Sequence, residues 1–229
     1  MDAMERFAGL AGLLCEATRA RMLWNLLDGR AYTAGELALA AGISPSAASN
    51  HLARLTEAGM LKAEVQGRHR YYSFSDPDVA YVAEALASLA GHPSPKNHPS
   101  TTIIPGGVKY CRTCYDHLAG YVSIKLVEAM QQKKFLKTED KKFIVTEKGW
   151  EWMEGFGIYK KDFASNRRPL TRQCLDWSER KPHLAGQLGA VLLHKMFERK
   201  WFRRVAFSRE LVVTPRGRQE LYAMLGISL

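Results

Sequence analysis

Two stretches of the chain, CYDHLAG (Cys114–Gly120) and CLDWSERKPHLAG (Cys174–Gly186), repeat one cluster. Each reads Cys-x-Asp and then His-Leu-Ala-Gly, with six more residues between the Asp and the His in the second copy. Thiol, carboxylate and imidazole groups this close together permit several kinds of chemistry. Cys111, Cys114 and His117 place three soft or borderline metal donors within seven residues, and Cys174 or His183 is at hand to complete a tetrahedral set suited to an ion such as zinc. The second copy has Thr171 where the first has Cys111, so the cysteine pair is unsymmetrical. The same thiols, near a helix N-terminus that favours thiolate, are also able to form a reversible disulfide. A third option is an effector pocket, with Trp177 and Tyr115 as aromatic walls, Asp116 and Asp176 as polar groups, and Arg180 and Arg172 holding an anion. The plainest reading is structural: Asp116 caps a helix beginning beside it, and Cys114 is a small buried apolar group. Catalysis has the least support. A Cys near a His is the minimum for a thiol nucleophile, but no Gly-rich phosphate loop or two-His hydrolase pattern accompanies it, so the chain reads as a non-enzyme.

The elements that must position these residues begin with the composition. The chain has 229 residues, 46% hydrophobic and 24% charged, which suits two well-packed domains. Its 33 Lys+Arg against 23 Asp+Glu give a net charge of +10, which points to a polyanionic partner. No apolar run approaches the ~18 residues of a membrane span. The start, MDAMERFAGLAGLL, is acidic and helically spaced, a poor signal peptide, and four cysteines without a secretion signal read as thiols or ligands; a cytoplasmic protein is expected. Residues 91–107, GHPSPKNHPSTTIIPGG, interrupt all periodicity and read as a linker between domains at 1–90 and 108–229.

Residues 1–90 read as helices and one hairpin. A helix over Phe7–Cys15 is followed by ATRARMLWNLLDG, which buries Met22, Leu23, Leu26 and Leu27. Thr33 and Glu36 form a capping box for a helix that Gly42 ends, and Ser44-Pro45 opens the next with an N-cap and a proline in the first turn. MLKAEVQGRHRYYSFS alternates about a Gln66–Gly67 turn, and the last helix places Val79, Val82, Leu86 and Leu89 on one face. This order is that of a winged helix-turn-helix.

Residues 17–89 resemble the DNA-binding domain of ArsR-family bacterial transcriptional regulators, the match being carried by TRARMLWNLLDG, ELALAAGISPSAASNHLARLTEAGML and GRHRYYSF. The resemblance implies a winged helix on double-stranded DNA, a homodimer on a promoter palindrome, and repression. Family members that sense metals use cysteines on the helix before the recognition helix, where this chain has Ala38 and Ala40, or an Asp/His set on the last helix, where it offers only Asp78 and His92. Neither familiar sensor site is expected. In the recognition helix Ala48, Leu52 and Leu55 must face the core, which turns Ser46, Ala47, Ser49, Asn50 and Arg54 outward. Asn50 suits an adenine, and the serines and Ala47 suit phosphates or a thymine methyl. Arg68, His69 and Arg70 in the wing suit phosphates or the minor groove. The apolar faces of the first and last helices serve either as dimer surface or as core.

Residues 108–229 are a duplication, with repeats at about 114–158 and 174–227. Aligning His117 with His183 matches Leu118/Leu184, Val122/Leu188, Leu126/Leu192 and Met130/Met196; Phe135 and Trp201 follow, then a hairpin, a helix start (TEKG, TPRG) and a late Gly-Ile. The expected fold is mainly α with β-hairpin wings: a winged helix-turn-helix followed by two winged-helix-like repeats, which resemble an extension found in some larger ArsR-family regulators. Arg203, Arg204 and Arg209 offer a second nucleic-acid contact. The function expected is a DNA-binding repressor whose C-terminal domain senses an effector that the resemblance does not name. The alternative is a thiol- or metal-dependent sensor whose winged helices serve protein contacts.

Overall fold

The structure, a computed structural model, describes residues 2–90, 106–140, 142–163 and 168–229. Most of the expected linker, with His92, lies outside them. The chain divides into two compact units, Met1–Ala87 and Ser88–Leu229.

Unit 1 runs α1 (Ala3–Leu14), α2 (Ala17–Leu26), β1 (Tyr32–Thr33), α3 (Ala34–Ala41), α4 (Pro45–Glu57), β2 (Leu61–Gln66), β3 (His69–Phe74) and α5 (Pro77–Ala90), the last reaching just past the division. The caps fall where the sequence places them. Thr33 and Glu36 make a reciprocal capping box on α3, which ends on Gly42 in the left-handed conformation. Ser44 accepts from the Ala47 amide ahead of Pro45. The three strands form an antiparallel sheet in the order β1-β3-β2. The hairpin turns at Gly67–Arg68, one residue later than expected, because Gln66 pairs with His69 at the end of the ladder.

The last helix departs from its expected packing. Ala80, Ala83 and Ala87 are its buried apolar positions, whereas Val82, Leu86 and Leu89 are 48%, 47% and 63% exposed. Small residues let α5 lie close to its own unit and leave the large ones outside. No residue of α1 is buried, and Phe7 is 74% exposed. The buried Arg19 of α2 fastens the end of α1 through the Leu13 and Gly12 carbonyls.

After the short α6 (Gly107–Tyr110), unit 2 runs the same order of hairpin, helix, hairpin and helix, six elements, twice. The first set is β4 (Arg112–Cys114) and β5 (His117–Ala119), α7 (Tyr121–Gln132), β6 (Leu136–Glu139) and β7 (Lys142–Val145), and α8 (Glu147–Glu154). The second is β8 (Arg172–Leu175) and β9 (Pro182–Ala185), α9 (Gly186–Glu198), β10 (Phe202–Arg204) and β11 (Leu211–Val213), and α10 (Pro215–Leu225). His-Leu-Ala is thus a strand in both copies, and Cys114 and Asp116 belong to a hairpin and its turn. The expectation that Asp116 caps a helix fails: α7 begins at Tyr121 after Gly120, with no side-chain cap. Neither Cys114 nor Cys174 sits at a helix N-terminus, which removes that source of thiolate character.

The repeats interlock. Helix α7 packs on β9 and α9 packs on β5, so each helix covers the other repeat's first hairpin. Strand β4 joins the second wing through Thr113 N–H to the Arg209 carbonyl and Leu211 N–H to the Cys111 carbonyl, while β8 lies beside β7. Val122, Leu126 and Met130 meet Leu188, Leu192 and Met196 in one core. The helix-to-wing joint is built identically twice. Thr146 and Thr214 each cap the following helix through the amide of Gly149 or Gly217, and donate back to the carbonyl of Lys134 or Lys200. No helix among the described residues is long and apolar enough to cross a membrane.

A Cβ on Gly149 would stand 2.2 Å from the Phe135 carbonyl oxygen, and one on Gly217 would stand 2.2 Å from that of Trp201. Gly149→Ala and Gly217→Ala are each expected to destabilise unit 2 by about 1–3 kcal/mol or more, as overpacking does. Urea denaturation followed by tryptophan fluorescence checks this, since Trp150, Trp152, Trp177 and Trp201 all lie in unit 2; unchanged midpoints would contradict the close approach.

Candidate functional site

Two regions have functional geometry, an open face in unit 1 and a buried cluster in unit 2. In unit 1, Ala48, Leu52 and Leu55 of α4 are fully buried, which rotates the other side of the helix outward. Ser46, Ser49, Asn50 and Arg54 are exposed and Ala47 is half-buried. The short hydroxyls are held near the helix, Ser49 by donating to the Pro45 carbonyl and Ser46 by sharing a hydrogen bond with Ser44. His51 reaches Glu16, the N-cap of α2, at 3.5 Å, linking α4 to the helix behind it. Lys62 to Arg70 of the wing are all exposed, among them Arg68, His69 and Arg70.

In unit 2, Cys114 pairs with His117 across β4–β5, and Cys174 pairs with His183 across β8–β9. The two hairpins bring these pairs face to face. The sulfurs stand 3.8 Å apart and the imidazole rings 5.1 Å centroid to centroid. All four ligand atoms lie within 4.8 Å of one another, and all four residues are buried. Ala119 and Ala185, completely buried, pack with the two cysteines, so the small residues of His-Leu-Ala-Gly let the hairpins meet. Cys111 is not brought in. Its side chain is buried in the apolar core of unit 2, and burial pushes its thiol well above the ordinary range.

The carboxylates stand behind the imidazoles. His117 Nδ1 is 3.2 Å from Asp116, which in turn receives both terminal nitrogens of Arg168, at 2.6 and 2.9 Å. His183 Nδ1 is 3.5 Å from Asp176, at the outer edge of hydrogen-bonding range. Neither ring has a partner of ordinary geometry at Nε2 among the described residues. Burial opposes a charge on His117, but Asp116 and Cys174 outweigh it and raise the imidazole to about 9. The neighbouring Cys114 sulfur, then His117 and His183, hold the Cys174 thiol far below its usual range against the effect of burial. Burial likewise opposes the Asp116 charge, and His117 and Arg168 lower its carboxyl all the same.

Asp176 is completely buried and its oxygens are taken up. They accept from Arg112 at 2.8 Å, from the Gly120 amide at 2.7 Å, and from Ser178 and the Glu179 amide. Burial alone would raise its carboxyl, yet Arg112 and then His183 hold it well below the carboxylate range. Trp177 covers Arg112, whose guanidinium carbon is 4.5 Å from the ring centroid. The six-residue insertion is therefore the turn that carries this network. Of the four residues expected to line an effector pocket, Asp116, Asp176 and Trp177 join the repeats, and Arg180 is exposed on the turn. Sequence spacing does not point to Arg112 or Arg168; only the position of Arg112 between two cysteines hints at the first. The expected second nucleic-acid wing is also reduced, because Arg209 is buried against the Thr113 carbonyl and Arg204 lies over Phe197.

A helix-turn-helix followed by an exposed basic hairpin defines a winged-helix transcription regulator. A helix-turn-helix domain family matches residues 14–63. Over 211 residues the chain is 39% identical to the HTH-type transcriptional regulator YdfF of Bacillus subtilis, covering 92% of this chain and 93% of the relative. Over 82 residues it is 39% identical to the HTH-type transcriptional regulator CmtR of Mycobacterium tuberculosis, covering 36% of this chain and 66% of that one. Among solved structures, the homodimeric winged helix-turn-helix domain of Mb0332 from Mycobacterium bovis, a possible ArsR-family regulator, matches with a TM-score of 0.36 at 25% identity, over 38% of this chain and 80% of that one. The chain belongs to the family of HTH-type transcriptional regulators, with a helix-turn-helix domain in its N-terminal unit.

Removing one partner of a buried ion pair strands the other charge, at a cost of about 3–5 kcal/mol. Asp176→Asn and Arg112→Met are each expected to lower the stability of unit 2 by that order, with Arg112→Met/Asp176→Leu recovering part of the loss. Denaturant midpoints for the three variants test this; singles as stable as the parent chain would show that the pair does not join the repeats.

Proposed function

We propose that the protein is a repressor that binds a promoter palindrome as a homodimer through unit 1, with unit 2 as its effector-sensing half. Helix α4 enters the major groove, and Ser46, Ala47, Ser49, Asn50 and Arg54 face the base edges and flanking phosphates. Arg68, His69 and Arg70 follow the backbone or the minor groove beside it. The observation that carries this reading is the fully buried Ala48–Leu52–Leu55 stripe, which leaves a polar face on α4 open in the same unit as an exposed basic wing.

Dimerisation draws support from the helices whose apolar side chains are left outside the core. Met4 and Phe7 on α1 and Tyr81, Val82, Leu86 and Leu89 on α5 are all exposed large hydrophobic residues, the kind of side chain that a partner subunit covers. An effector acts on such a dimer by binding its DNA-competent and DNA-incompetent forms unequally.

Fragments recovered by genome-wide DNA pull-down provide the operator for titration. The logarithm of affinity is expected to fall linearly with the logarithm of salt concentration, at a slope of about −0.9 per phosphate neutralised. Arg68→Ala/Arg70→Ala should flatten that slope by about 1 for each phosphate that is no longer neutralised, and Asn50→Ala should cost about 1–3 kcal/mol on the operator and little on unrelated DNA. A salt-independent titration favours the rival reading, in which the winged helices contact protein. Separately, Leu86→Asp/Leu89→Asp is expected to give a monomer by light scattering with sharply reduced operator affinity; a dimer that survives both substitutions places the interface elsewhere.

A further inference from the structure

We propose that Cys114, His117, Cys174 and His183 bind one zinc ion in a closed, four-ligand site that fastens the two repeats of unit 2 to each other. The proposal does not rest on the DNA reading. It starts from the convergence of two sulfurs and two imidazoles, one Cys–His pair from each repeat, with all ligand atoms inside 4.8 Å. Two thiolates each ~2.3 Å from a tetrahedral zinc ion stand ~3.8 Å apart. The Cys114 and Cys174 sulfurs are 3.8 Å apart.

A second observation is independent of that spacing. Both imidazoles are buried, at 4% and 1% exposure, with no ordinary hydrogen-bond partner for either Nε2 among the described residues. Buried polar nitrogens are costly without partners, so a pair of them aimed into one cluster needs an explanation. Asp116 and Asp176 face the Nδ1 atoms at 3.2 and 3.5 Å. For His117, whose Nδ1 hydrogen-bonds Asp116, that is the carboxylate–histidine arrangement which orients a ring so that its other nitrogen ligates a metal; His183 Nδ1 makes no hydrogen bond at its longer distance. Two thiolates also neutralise a divalent cation, which makes burial of the whole set tolerable.

Other occupants fit less well. Hard cations prefer oxygen ligands, and this set contains none. A Cys114–Cys174 disulfide requires the sulfurs to close to ~2.05 Å and leaves both Nε2 atoms unsatisfied. Four buried protein ligands leave no coordination position for solvent or substrate, so the site is structural in form. Its ligands come from residues 114–117 and 174–183, and the ion would join segments that the chain itself connects only through all of α7, both wing strands and α8. Ala38, Ala40 and Asp78, at positions where the resemblance would place sensor ligands, are not among these four residues.

The test uses the full chain purified under reducing conditions. Metal analysis is expected to find one zinc per chain, and exchange with Co(II) is expected to produce the visible bands of tetrahedral cobalt with sulfur-to-cobalt charge transfer. Cys174→Ser should abolish both, whereas Cys15→Ser, at an exposed thiol, should change neither. Asp116→Asn, at a positioning residue, should weaken zinc about 10–100-fold in chelator competition while the cobalt spectrum keeps its tetrahedral form. If Cys174→Ser does not fold, the parent spectrum still decides, and Cys174→His should retain the ion with weaker sulfur charge transfer. A reduced parent chain that carries no zinc and gives no tetrahedral cobalt spectrum overturns the proposal. So does a Cys114–Cys174 disulfide with no metal, or metal retained when both cysteines are replaced by serine.

Discussion

A fully buried carboxylate requires compensation from every direction, and in unit 2 that requirement organises the rest. Asp176 belongs to the second repeat, yet its strongest partners, the Arg112 guanidinium and the Gly120 amide, belong to the first. A charge removed from water is tolerable only where such partners are fixed in place. Satisfying it therefore sets where β8–β9 lies against β4–β5. Once the hairpins are placed, the cross-strand Cys–His pair of each meets the other, and the core stripes of α7 and α9 merge behind them.

Unit 1 depends on different physics. Its function needs a surface kept open, and the helix register supplies it: burying Ala48, Leu52 and Leu55 leaves the serines, Asn50 and Arg54 nowhere to go but outward. The side chains on this face are mostly short, so the backbone can approach a groove closely. On α5 the choice of alanine for the buried positions has the opposite consequence for larger residues, which become a candidate interface.

The duplication in unit 2 is local in its rules and crossed in its contacts. Each repeat uses the same threonine cap, the same glycine against a carbonyl and the same Cys–His hairpin, yet each hairpin is completed by the other repeat's helix and wing. The symmetry breaks at the carboxylates. Asp116 sits next to its histidine and is neutralised by Arg168, whereas Asp176 reaches His183 from the far end of a six-residue insertion and is neutralised by Arg112.

Local chemistry is what the linear chain could determine. Capping residues, helix-ending glycines and apolar periodicity depend on neighbours a few residues away, so the winged helix, the outward face of α4 and the repeat of hairpin and helix were legible in residue order. So was the kinship of Cys114, His117, Cys174 and His183, because the duplication displays it. Tertiary structure alone decided the rest. His-Leu-Ala is short and apolar, a pattern that fits helix or strand equally, and only pairing with Arg112–Cys114 or Arg172–Cys174 makes it a strand. Cys111 is chemically identical to Cys114 but falls on the side of the chain that faces the apolar core. The large residues of α5 have the helical spacing of a core stripe yet lie outside; periodicity identifies a face but not what covers it. Arg112 and Arg168 found their carboxylates at separations of 64 and 52 residues, distances over which residue order carries no signal and only packing brings charges together.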